Sequence, residues 1–446
     1  MSKYKRYERY KDSGVEWIGD IPEHWELRRI KFIGTLYSGN GFKEELQGKE
    51  EGDYPFYKVS DINGDGKLVT FSNNYVDKDD IVNNRWNIIP QNSILFAKIG
   101  EALKKNHRKI NAYSCLIDNN IAALKPHEIV LDYNYFYYYF SCINAEWFVN
   151  PGTLPSINNT YLKNFIALLP SKNEQKIIAN FLDQKTAEID GLIADKEKLI
   201  ELLQEKRQAI ITEAVTKGLN PNVRMKDSGI EWIGEIPEHW EIVPLKHITN
   251  FISRGNSPEY LEESSIKVIN QACIYWDELK IENVKYQNDD IEFDKLKGKL
   301  IKGDLLLNST GTGTLGRAVV FREDGKYMAD SHVTIIRFNK TRMNEVLAFY
   351  LLQTKIYQGY IYNALVTGAT NQIELSRERL TGTPMIVPPS IEQQEIVNFL
   401  NSKIGQIAIL INEIKTQIQK LEEYRQSLIS EAVTGKIDVR DYVVSN

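Results

Sequence analysis

The sequence predicts an α+β protein built from two similar mixed α/β modules, each followed by a long helix. Three observations carry this: a helical stretch written twice, a tryptophan-rich segment written twice ahead of it, and short strand-like runs between the two.

The helical stretch runs from Glu174 to Lys217, and its second copy from Glu392 to Lys436. Leu182, Ile189, Leu203 and Ile210 share one seven-residue register, matched by Leu400, Ile407, Leu421 and Leu428. This is coiled-coil spacing. The fifth register position is Lys196 in the first copy and Ile414 in the second. Leu192, Ile193, Leu199 and Ile200, with Leu410, Ile411 and Ile418, widen each stripe into one broad face that must be buried. A helix packed on its own domain would carry a similar stripe, but two copies at equivalent places bury their faces more economically on each other. At 1.5 Å per residue such a helix spans about 60 Å, which suits a spacer rather than part of a compact core.

The segment SGVEWIGDIPEHWE, from Ser13 to Glu26, returns as SGIEWIGEIPEHWE from Ser228 to Glu241, 215 residues later. Repetition at one long period is internal duplication. Trp17, Trp25, Trp232 and Trp240 supply apolar area around turns at Pro22 and Pro237. His24 and His239 sit inside this wrap without a Ser or Cys nucleophile pattern, so they are read as structural.

From Arg28 to Pro170, runs such as YPFYKVSDI and NSILFAKIG alternate with Gly, Asn and Asp clusters. The aromatic run from Tyr133 to Phe140 reads as a helix or strand packing its own domain, because so much aromatic surface is costly to leave in water. The second half repeats the plan with other residues. KVINQACI answers YKVSDI, GDLLLNSTGTGTLGR answers NSILFAKIGEALKK, and TGATNQIE answers PGTLPSIN. The boundaries expected are 1–170 and 221–390 for the modules, 171–220 for the first helix, and 391–446 for the second helix with its tail. A frame kept while loop residues change is the pattern of two modules reading two different things.

With 446 residues, two or three domains are expected. Hydrophobic residues make up 42% and charged residues 26%, and no apolar run is long enough to span a bilayer. The basic start MSKYKRYERYKDSG lacks the apolar core of a secretory signal, so a cytoplasmic location is expected. Cys115, Cys142 and Cys273 have neither Cys-x-x-Cys spacing nor clustered histidines, which argues for reduced, buried thiols and no metal site. The net charge of −5 argues weakly against nucleic-acid binding as a total, but only the face near phosphates must be positive.

Gly311 to Gly316, GTGTLG, matches the glycine pattern of dinucleotide folds. It should then open a helix, with an acidic residue about 20 positions on. Instead RAVVF continues as a strand and Arg337 stands near that position, so a Gly/Thr turn is expected. There is no Walker phosphate loop, no His-Glu-x-x-His and no Asn/Asp-Pro-Pro-aromatic tetrapeptide, so catalytic residues, metal and bound cofactor are expected to be absent. Lys104, Lys105, Asn106, His107, Arg108 and Lys109, grouped with Lys98, form the best local signal for phosphate contact. A solvated surface loop would look the same. In the second half Arg254, Asn256, Asn308, Ser309, Thr310, Arg317, Asn371 and Gln372 are candidates, because Arg suits guanine and Asn or Gln suits adenine in the major groove.

The doubled Trp-Ile-Gly-x-Ile-Pro-x-x-Trp segment resembles the specificity subunits of Type I restriction-modification systems. So do the doubled entry (Pro170, Glu174, Gln175, Phe181, Leu182; Pro388, Glu392, Gln393, Phe399, Leu400) and the doubled Glu-Ala-Val-Thr exit (Glu213 to Thr216; Glu431 to Thr434). The resemblance covers essentially the whole chain. It implies two target recognition domains, each reading one half of a bipartite asymmetric site on double-stranded DNA, and two helices packed as an antiparallel coiled coil. It implies two modification subunits carrying S-adenosylmethionine for adenine methylation, and restriction subunits using ATP and Mg. The base-contacting residues above are not carried over from the family. Half-sites on one face of B-DNA stand roughly 34 Å apart, which the helices could span. The alternative is a protein-interaction scaffold with two binding modules on a coiled coil.

Overall fold

The computed structural model describes residues 4–64, 66–150, 155–276, 278–288, 290–368 and 373–442. The chain divides into two compact units, Met1–Lys196 with Thr416–Asn446, and Glu197–Lys415. Each division falls inside a long helix, so each unit holds one module and half of each helix.

In the first unit, β1 (Glu26–Arg29) follows Trp25, and β2 (Gly34–Ser38), β3 (Leu68–Val69), β4 (Ile94–Ala97), β5 (Arg108–Asn111) and β6 (Ile121–Pro126) form a sheet in the order β2-β6-β4-β5-β3. All pairs in it are antiparallel except β3 with β5, and Leu95 of β4 lies opposite Ala123 and Lys109. Tyr54–Tyr57 runs beside Leu116–Ile117 and Tyr75–Val76 in a second, smaller sheet. Helix α1 (Tyr133–Ser141) buries Tyr135, Phe136, Tyr138, Tyr139 and Phe140, so the aromatic run is core. Asp132 caps it by accepting from the backbone N–H groups of Asn134 and Tyr135.

Strand β7 (Ile166–Leu169) pairs antiparallel with β1, and α2 (Lys172–Lys217, 46 residues) starts directly after it. The helix therefore emerges beside the tryptophan segment that opened the module. It begins two residues before Glu174 and two past Pro170, which has no backbone N–H to extend the strand pairing.

The second unit repeats this plan. Strand β8 (Glu241–Pro244) is followed by β9 (Thr249–Arg254), β10 (Leu305–Asn308), β11 (Ala318–Val320) and β12 (Val333–Phe338), which form an antiparallel sheet in the order β9-β12-β10-β11. Leu306 lies opposite Ile335 and Val319, as Leu95 does opposite its partners. Helix α3 (Glu345–Gln353) matches α1 and is capped by Asn344. Strand β13 (Pro384–Val387) pairs with β8 and leads into α4 (Ser390–Val433, 44 residues).

Within the first unit the helices run antiparallel: Arg425 bonds Asp190 at 2.8 Å, and Lys196 donates to Gln417 at 2.6 Å, so numbers rise on α2 as they fall on α4. Leu182, Ile189, Leu428, Ile429, Ala432 and Val433 are buried in that unit's core, with Leu421 half-buried against it. In the second unit Ile211, Ala214 and Val215 share a core with Ile396, Val397 and Leu400, with Ile210 half-buried. Ile407 and Ile414 are buried, and Leu203 is half-buried. Burying one such side chain contributes about 1.5–3 kcal/mol, which is what pins these faces. Helix α4 stops at Val433, short of Lys436, because Gly435 adopts φ +72° and lies against Pro22 and Trp25. Among the described residues no helix is long and apolar enough to cross a membrane.

Candidate nucleic-acid interface

The first functional constellation is structural and occurs twice. Glu174, at the first turn of α2, accepts from Tyr7 Oη at 2.8 Å and Trp25 Nε1 at 3.1 Å, and bonds His24 Nε2 at 2.9 Å. Glu392 of α4 bonds Trp240 Nε1 at 3.0 Å and His239 Nε2 at 2.8 Å. The next residue completes the joint. Gln175 accepts from the Asp132 N–H and donates to Pro170 O, and Gln393 accepts from the Asn344 N–H and donates to Pro388 O. The two histidines thus orient a helix and its module.

Each module also fixes one sheet corner by the same device. A Cβ on Gly39 would lie 1.8 Å from Asp118 O, and one on Gly255 would lie 1.9 Å from Ala329 O, so only glycine fits either site. The following Asn40 brackets the Asn87 backbone, and Asn256 accepts from the Gly298 N–H at 2.6 Å. Asn256, a candidate for base contact, is therefore spent on the fold.

The loops that diverge between modules lie beyond these corners. In the first, Lys98 N–H donates to Asn120 O and Lys98 O accepts from Ile157 N–H, which ties the segment after β4 to the hairpin strands Val149–Asn150 and Ser156–Ile157. Lys98 is half-buried; Lys104 and Lys105 are exposed, with Lys104 2.7 Å from Glu101. The rest of the basic cluster corrects the sequence reading. Asn106, at φ +55°, donates to Ile143 O and accepts from Arg108 and the Ala145 N–H. Arg108 is 5% exposed over the Phe96 and Phe140 rings, and burial holds its guanidinium well below the ordinary value. Lys109 is 3% exposed and donates to Gly66 O. These three build β5 and its approach rather than a phosphate-facing loop.

In the second module Ser309 N–H donates to His332 O, and Leu375 N–H donates to Ser309 O, so the segment after β10 joins the hairpin strands Val366–Thr367 and Glu374–Leu375. Asn308 and Ser309 are fully buried, a second correction. Arg254 clamps this hairpin through Glu374 at 3.0 Å and Leu375 O at 2.9 Å. Asn371 and Gln372 lie outside the described residues. Gly311 to Gly316 forms a turn, not a helix, with φ +93° and +85° at its ends, and β11 follows antiparallel to β10, which excludes the dinucleotide reading.

What the turn does hold is a polar cluster. Thr310 Oγ1 lies 3.3 Å from Gln271 Oε1 and 2.9 Å from His332 Nδ1, and Thr314 Oγ1 lies 3.5 Å from Gln271 Oε1. Arg317 donates to Gly313 O at 2.7 Å and stacks over Tyr275 at 5.1 Å. Of the candidates, Thr310 and Arg317 belong to this cluster. Gln271, Thr314 and His332 were missed, although Gln271 stands in the stretch that answers YKVSDI with different residues. Amide, hydroxyl and guanidinium groups at one loop end offer the donors and acceptors that base edges require.

Burial pushes the Cys115 and Cys142 thiols up to about 12 and Cys273 to about 11, so they stay protonated. Among the described residues no group of three or more His, Cys, Asp or Glu could hold a metal ion.

Residues 22–202 and 237–420 each match the model of the Type I restriction modification DNA specificity domain. A Methanocaldococcus jannaschii chain assigned as the MjaX specificity subunit of a type I restriction enzyme is 27% identical, with 95% of this chain and 96% of that one covered. The MjaVIII specificity subunit of the same organism is 25% identical, over 94% and 95% of the two chains. Among solved structures, a chain from the assembled type I R-M system superposes with a TM-score of 0.68 at 14% identity, covering 93% of this chain and 98% of that one. The HsdS subunit from Thermoanaerobacter tengcongensis gives 0.52 at 14% identity, covering 94% and 98%.

Proposed function

The chain belongs to the Type I restriction modification DNA specificity family, matched by both its halves, and from that premise we propose that it reads a bipartite, asymmetric site on double-stranded DNA, one part per module. The observation that carries this reading is the contrast within the duplication. The Glu-Gln joints and the glycine corners recur in both modules, while the loops beyond them present Lys98, Lys104 and Lys105 in one and Gln271, Thr310, Thr314, Arg317 and His332 in the other. One frame with two sets of loop groups suits two unlike half-sites.

Adenine methylation is then the work of two modification subunits carrying S-adenosylmethionine, and cleavage that of restriction subunits using ATP and Mg. This chain supplies specificity and no catalytic group. Its acidic total charge favours partner subunits supplying much of the phosphate contact.

Exchanging residues 14–170 for the first module of another family member tests the reading. Methylation by the complex reconstituted with its modification subunit should change in one half of the recognised sequence and keep the other. A change in both halves would refute independent readout.

A further inference from the structure

The two copies of the helix joint differ in what covers one phenylalanine, and the duplication makes that difference measurable. Phe181 of the first unit is fully buried, with Tyr4 packed edge-on at 5.3 Å and Tyr442 at 4.8 Å. Both tyrosines come from the chain's terminal segments, which pair where Lys5 bridges Asp438. The counterpart of Phe181 is Phe399, 218 positions on. In the second unit a single linker, Leu219 to Asp227, runs where the first unit has two tails, and it brings no aromatic residue. Phe399 is accordingly only half-buried and lines a recess of 560 Å³, with Ile210, Ala214, Leu219 and Met225 as apolar wall. Leu219 at its edge is 39% exposed.

We infer that this recess is a docking site for a tyrosine side chain carried by a partner polypeptide. The equivalent helix segments of the duplication already form a tyrosine-filled site in the first unit, so the shape and chemistry of the occupant are set by the chain itself. The polar rim agrees. Glu213 and Glu235 line the recess, and among the described residues neither carboxylate has a hydrogen-bond or ion-pair partner, which leaves acceptors for a phenolic hydroxyl. A single aromatic ring can bury 150–250 Å² and supply much of the contact, with the hydroxyl fixing its direction. The inference concerns a protein surface and is independent of how the modules read DNA.

Met225 provides the probe, since the chain has only five methionines. With methyl-labelled methionine in the full-length protein, p-cresol, the tyrosine side-chain analogue, should shift the Met225 signal with half-saturation on the order of 1 mM. The signals of Met328, Met343 and Met385, buried elsewhere in the second unit, should stay in place and report an intact fold. Leu219→Asp should weaken p-cresol binding at least fivefold with those three signals unchanged. A peptide copying Ile437–Tyr442 should shift Met225, and its Tyr442→Ala version should not. No shift with either probe, or equal shifts with both peptides, would overturn the inference. So would a Met225 signal that moves on dilution of the protein alone, because the occupant would then be a second copy of this chain.

Discussion

Glu174 and Glu392 hold equivalent positions at different depths, their side chains 4% and 23% exposed. Removing Glu174 strands the Tyr7 hydroxyl and the Trp25 indole N–H in the core, so Glu174→Ala should cost about 2–3 kcal/mol, and Glu392→Ala about 1 kcal/mol, in urea denaturation. Equal losses would mean that burial does not set the value of this joint. Burial also raises the Asp330 carboxyl above the usual carboxylate range. Its charged form is thus penalised in the folded state, so its contribution to stability is full below the unfolded pKa and is lost as pH rises through the raised value. Asp330→Asn keeps an acceptor for the His332 N–H, and should leave stability at pH 7 unchanged or raised by up to about 1 kcal/mol, with the gain absent near pH 3. A loss at pH 7 would show that the carboxylate is needed. The basic cluster shows where sequence reading fails at this scale. Arg108 to Asn111 form a strand buried on both faces, so no alternation separates Arg108 and Lys109 from the exposed Lys104 and Lys105 beside them. Lys104→Ala and Lys105→Ala should each lower the salt slope of DNA binding by about one in the reconstituted complex, while Arg108→Met should not.

At the scale of elements, the seven-residue register was legible because a seam that must be buried repeats at the helix period. Its nine apolar positions are all buried or half-buried in the units that hold them. The depth of each was not legible, because the register does not say what else packs there. Leu428 sits in the first unit's core while Leu421 lies at its margin. Leu428→Asp should therefore cost about 3–5 kcal/mol, and Leu421→Asp clearly less, in chemical denaturation. Equal costs would contradict a graded seam. The end of α4 was misplaced for a related reason: the close approach of Gly435 to Trp25 and Pro22 joins residues about 410 positions apart, and only the fold reveals it. Strand β3 escaped notice because two residues carry no period.

For the whole molecule, the duplication is the decisive fact. A repeated frame was readable from tryptophans, glycines and helix entries, since those residues answer to geometry. On the proposed reading the loop residues answer to a ligand rather than to geometry, so their roles were not readable in the same way; of the second-module candidates among the described residues, Thr310 and Arg317 fall in the polar cluster. As a specificity subunit of a Type I system, the chain should have no methylation activity when purified alone. The most direct test of two-part readout is single-molecule methylome sequencing of DNA exposed to this chain with its modification subunit. Methylated adenines are expected in one split, asymmetric sequence with a fixed gap, lost when this chain is omitted. A continuous palindromic motif, or no motif at all, would contradict it.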